Sequence, residues 1–107
     1  MARPKKFRCI KCRPDSRYFK PRAIPMSELE EVEVSMDEIE ALRLADYEGL
    51  YHESAAARME ISRQTFGRIL CQARRKVAEC LVKGKALKIE ANRDHYRRIP
   101  KKTTGKI

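Results

Sequence analysis

Near the middle of the chain, Arg63, Gln64 and Arg68 carry the side-chain chemistry best suited to reading a duplex. Arginine forks onto guanine O6 and N7, and glutamine onto adenine N6 and N7. At 100° per residue, Gln64, Arg68, Cys71 and Arg75 share one side of a helix, with Gly67 and Arg74 toward its edge. Gly67 would let that side approach a duplex closely, at a helix cost of roughly 1 kcal/mol relative to Ala. Arg74, Arg75 and Lys76 come later along the helix and suit phosphate better than bases. Ser62, just before Arg63, has the hydroxyl that caps a helix start.

A second constellation is Cys9-Ile-Lys-Cys12, the spacing of half a tetrahedral zinc site. No second Cys-x-x-Cys or His-x3-His completes it. Cys71 and Cys80 lie about 180° apart on a helix, so both cannot ligate one ion. Zinc held with the help of Cys9 and Cys12, redox sensing and inert thiols all stay open. Catalysis has no support in the sequence. His52 and His95 are isolated, and no serine elbow or paired acid in an apolar setting is present to activate a nucleophile or abstract a proton.

The elements that must position these residues are mainly helical. Ser35-Met-Asp-Glu38 is a capping box opening a helix from about Met36 to Glu48, with Gly49 able to take positive φ at its end. Ile39 and Leu42 share one of its faces, and Ala41, Leu44 and Ala45 another, so this helix packs on two sides. A short helix over about His52–Met59 follows, with Tyr51 where a hydroxyl cap is expected. The long helix runs from Arg63 to Lys83 and stops at Gly84. Its apolar positions, Phe66, Ile69, Leu70, Ala73, Val77, Cys80 and Leu81, form one stripe opposite the basic side. Residues 56–66 thus read as a helix-turn-helix, in which Ala56 and Ala57 allow close approach and Ile61, Phe66 and Ile69 fill the angle.

Around this three-helix unit, Leu29–Val34 reads as an edge strand and Ala86–Glu90 as another, with a turn at 92–94 leading to a segment 95–99. Pairing one of the later segments with 30–34 would set base beside acid. Residues 1–24 hold prolines and like charges and read as an extended basic arm carrying the cysteines. Residues 25–99 form the domain, and 100–107 a disordered basic tail.

The charge is divided by position. Residues 1–24 have nine Lys/Arg and one acid, 25–61 two and eleven, and 62–107 fourteen and three. The switch from acid to base falls at Ser62, where the reading helix begins. Laying a helix and flanking arms along phosphates favours such segregation, because each neutralised phosphate releases counterions. At 107 residues the chain has room for one modest core. No stretch approaches the roughly 20 apolar residues of a membrane span, and the charged start lacks the apolar core of a secretory signal. A cytoplasmic location is expected, with thiols rather than disulfides.

Several blocks resemble the small prokaryotic family called domain of unknown function 134, or uncharacterised protein family 0251. They are Ala2-Arg-Pro-Lys-Lys6, Pro25-Met26, Asp37–Asp46, Glu48-Gly-Leu50, Met59–Phe66, Ala73-Arg-Arg-Lys76 and Leu81–Leu87, in that order. The resemblance implies a DNA-binding protein with a helix-turn-helix like the fourth region of bacterial sigma factors. Two positions depart from the pattern: Glu60 stands where the turn usually has Gly, and Tyr51 where the second helix usually has a hydroxyl cap. The cysteine-containing start is similar to that of other members, with variable spacing.

The leading expectation is a sequence-specific transcriptional regulator contacting double-stranded DNA through Ser62, Arg63, Gln64, Arg68, Arg74, Arg75 and Lys76, as a monomer or homodimer. One alternative is a protein or RNA adaptor using the acidic 28–48 surface. Another is a regulator in which Cys9 and Cys12 sense metal or redox state. No small-molecule substrate is evident.

Overall fold

The computed structural model describes residues 9–11, 14, 16–90 and, for the backbone alone, 8 and 96–98. The chain runs β1 (Arg8–Ile10), β2 (Tyr18–Phe19), a 3-10 turn over Met26–Glu28, β3 (Glu31–Val34), α1 (Met36–Leu42) and a π-helical turn over Arg43–Tyr47. It continues with α2 (His52–Met59), α3 (Arg63–Lys83), β4 (Ala86–Ile89) and β5 (Tyr96–Arg98). It is mainly α, with a helix-turn-helix-like unit, a long third helix and two small sheets. Among the described residues no helix is long and apolar enough to cross a membrane.

α1 begins where the capping box places it. Ser35 Oγ accepts the Glu38 N–H at 3.3 Å, and Glu38 Oε1 accepts the Ser35 N–H at 3.0 Å. The helix then loosens. Glu48 N–H donates to Arg43 O at 2.8 Å, five residues back, so Arg43–Tyr47 is π-helical rather than a continuation of the α-helix expected to Glu48. The extra residue per turn rotates Asp46 toward α3, where it meets Arg74. Gly49, at φ +76°, ends the segment as expected.

The main core lies between the three helices. Ala41 and Leu44 from α1 and its π turn meet Ala55, Ala56 and Met59 of α2 and Phe66 and Leu70 of α3, with Ile61 and Ile69 packed against them. The close approach of α2 thus uses Ala55 and Ala56. Ala57, expected there, is exposed, because the pair facing α3 is set back by one position. A smaller core joins Ile10, Met36 and Ile89, so α1 is covered on two sides.

β4 is the centre of a three-stranded sheet. β3 pairs with it in parallel and β2 antiparallel, with Glu33 beside Lys88 in the register. Of the two later segments open to pairing with 30–34, the one over 86–90 does so, and the three helices form the crossover that a parallel pair requires. β1 and β5 form a second, two-stranded parallel sheet.

These strands revise the expectation of a free arm over 1–24. Ile10 is buried and Tyr18–Phe19 is hydrogen-bonded into the sheet, so 8–10 and 18–19 belong to the domain. Alternation of small apolar groups with charge suffices for a strand when a partner edge is near. Residues 1–7 and the tail 100–107 lie outside the described residues.

Candidate nucleic-acid interface

The turn between α2 and α3 sets the geometry of the site. Glu60 adopts the left-handed conformation, φ 60° and ψ 42°, and is the one non-glycine residue with positive φ among those described. Its N–H donates to Ala57 O at 3.1 Å and the Ile61 N–H to Ala56 O at 3.1 Å, closing α2. Two residues on, Ser62 Oγ accepts the Thr65 N–H at 3.1 Å and donates to Thr65 Oγ1 at 2.9 Å. The cap read from the sequence is therefore formed. Tyr51, by contrast, gives α2 no side-chain cap.

α3 presents the divided surface that its periodicity demands. Phe66, Leu70, Ala73 and Cys80 are buried, while Arg63, Gln64, Arg68, Cys71 and Arg75 are exposed. The first turn holds no acid, so the positive helix end and Arg63 reinforce each other. Gly67 has open space where a Cβ would stand.

The structure separates the later cations from this group. The Arg74 guanidinium is held side-on by Asp46, with Nε–Oδ2 at 3.1 Å and Nη2–Oδ1 at 2.7 Å. That hydrogen bond, helped by the charge of Arg74, lowers the Asp46 carboxyl below its ordinary value. The Arg74 side chain stays 53% exposed, so the pair leaves part of the guanidinium at the surface.

Lys76 is the correction. Its ammonium points inward, donating to Glu33 O and to Glu38 Oε1, each at 2.9 Å. Glu38 is almost wholly buried, so Lys76 neutralises the capping box rather than reaching for phosphate. Neither Asp46–Arg74 nor Glu38–Lys76 was legible in the sequence. Each joins residues 28 and 38 positions apart, and no local pattern marks such pairs.

Cys9 lies half-buried on β1, and the Lys11 N–H beside it donates to Glu40 Oε2 at 3.2 Å. Cys12 lies outside the described residues, and with it the suggested zinc ligation by Cys9 and Cys12. Cys71 is exposed and Cys80 buried, on opposite sides as expected. The Cys80 thiol donates to Ala86 O at 3.6 Å, and burial raises its pKa, which favours the neutral thiol.

Residues 1–97 match the family described as "Protein of unknown function DUF134". Curated relatives carry the name UPF0251 protein. One from Prosthecochloris aestuarii is 56% identical over 88 residues, covering 82% of this chain and 57% of the relative. One from Halothermothrix orenii is 51% identical over 90 residues, covering 84% and 67%. One from Desulfosudis oleivorans is 52% identical over 90 residues, covering 84% and 65%. The chain thus spans about three-fifths to two-thirds of the length of these relatives. No solved structure matches it.

Proposed function

We propose that this chain, which belongs to the DUF134 family, binds duplex DNA sequence-specifically and acts as a transcriptional regulator. The observation that carries the reading is the outer side of α3. Arg63, Gln64 and Arg68 are exposed on the first turns of a capped helix whose opposite side is sealed in the core. In this reading Gln64 and Arg68 contact base edges, while Arg63 and Arg75 neutralise phosphate. Arg74, pre-oriented by Asp46, offers the exposed part of its guanidinium to a flanking phosphate. Lys76 takes no part.

The test is selection of bound sequences from random duplex, followed by fluorescence-anisotropy titration across a salt series. Wild-type affinity should fall steeply with salt. Arg68→Ala should cost about 1–3 kcal/mol and relax the selected sequence at one position. Weak, sequence-blind binding that Arg68→Ala leaves unchanged would refute the proposal.

A further inference from the structure

The apolar stripe of α3 outruns its cover. Phe66, Leu70 and Ala73 are sealed, yet Leu81 near the helix end is 79% exposed. Phe19, across from Leu81 on β2, is 54% exposed. Between these residues lies an apolar groove of about 310 Å³, with Val77, Cys80 and Leu81 on one wall and Phe19, Pro21 and Leu87 on the other. Two of the six exposed large hydrophobics among the described residues, Phe19 and Leu81, line this one groove. Monomeric proteins rarely leave apolar surface clustered without use.

We propose that this groove docks a second copy of the chain, in a two-fold arrangement centred on Leu81. The surface rests on the geometry just given; its purpose rests on the duplex reading above. A two-fold axis needs one surface that offers what it receives. Here the protruding Leu81 stands beside a groove able to take a side chain of its own size. The rim carries both signs, so it does not repel its own image. Lys85 bridges Glu79 at 2.7 Å and Glu30 at 3.4 Å, with Lys20 on the groove lining and Lys83 near Glu79. The chain's own segment 99–107 is a poorer occupant, since Lys101, Lys102 and Lys106 would add like charge beside Lys20 and Lys83.

The areas set the strength. The two exposed side chains leave roughly 200 Å² of apolar surface in water per copy. Joining two copies through these side chains and the groove walls would cover less than about 1,000 Å², below the range of stable specific interfaces. The free dimer should therefore be weak, with a Kd above about 1 μM. A duplex holding two copies side by side raises their effective concentration and makes the contact count.

The length of α3 fits this use. From the middle of Arg63–Arg68 to Leu81 is about 23 Å along the helix axis. Half-sites one turn of DNA apart place each reading segment about 17 Å from the dyad. Helices inclined at about 45° to the axis meet both conditions.

Sedimentation velocity of the full chain, over a concentration series reaching about 1 mM, tests the proposal. Wild type should show a monomer–dimer equilibrium. Leu81→Glu, at a position already exposed, should keep the wild-type helix content and raise the dimer Kd at least about tenfold. On a duplex carrying two selected sites about 10 bp apart, wild type should bind two copies cooperatively. Leu81→Glu should keep single-site affinity and lose the cooperativity. A chain that stays monomeric throughout and fills the two sites independently would overturn the proposal, as would a dimer that Leu81→Glu leaves intact. If no duplex is bound but Leu81→Glu still abolishes the dimer, the duplex reading fails and this surface stands.

Discussion

At the start of α3, Phe66 and Leu70 lie under Ala41, Leu44 and Met59, and the solvent meets Arg63, Gln64 and Arg68. Roughly four turns later the same stripe continues into Leu81, which remains exposed with Val82 beside it. One helix therefore has a polar outer side over a sealed core at one end and uncovered apolar groups at the other. Periodicity tells which side of a helix is apolar. It does not tell how far the neighbouring layer extends. α1 with its π turn and α2 cover α3 as far as Arg74 and Lys76, and the small sheet approaches the turns beyond.

The comparison breaks most decisively on stability. Phe66→Ala empties a fully buried site between three helices and should destabilise the fold by about 3–5 kcal/mol. Leu81→Ala removes a side chain already in water and should change stability by no more than about 0.5 kcal/mol. Urea unfolding of both variants measures the contrast. Similar losses in the two would mean that the far end of α3 is covered after all.

Between the two ends lies the position where the sequence misleads most. Lys76 follows Arg74 and Arg75 in a basic run, and the run suggests a common role. Yet a helix turns by 100° per residue, so three adjacent cations face three directions. Arg74 meets Asp46, Arg75 faces solvent and Lys76 reaches the buried Glu38. Lys76→Met should cost about 2 kcal/mol of stability, because it leaves the Glu38 carboxylate buried without its countercharge. It should leave the salt dependence of duplex binding unchanged. Arg75→Ala should do the reverse, reducing the salt slope by about one and sparing stability. Circular dichroism melts and a salt series on the same two variants separate the roles.

What could be read in the sequence was local. The capping box at Ser35, the Ser62 cap, the helix stop at Gly84 and the exposed Arg63–Gln64–Arg68 group all follow from spacings of a few residues. What escaped depends on distant partners: the strand at Arg8–Ile10, the π turn that carries Asp46, and the groove between Phe19 and Leu81. That one of the two later segments could pair with 30–34 was legible, but not that it would be 86–90. Nor was the parallel sense of the pair, since that is decided by the path of the three helices between the two strands.

The turn that aims the reading end of α3 allows a smaller and sharper test. Glu60 occupies the left-handed region, where a Cβ crowds the following carbonyl at a cost of roughly 1–2 kcal/mol. Glycine removes that strain but gives the unfolded chain more freedom, which offsets part of the gain. Glu60→Gly should therefore stabilise the fold by about 0.5 kcal/mol, raising Tm by roughly 2–4 °C. Because the conformation of the turn is retained, the affinity for a selected duplex should stay the same. A loss of stability would mean that the Glu60 side chain contributes more through its contacts than its backbone loses. A change in affinity with unchanged stability would place Glu60 itself at the duplex, extending the reading end of α3 back into the turn.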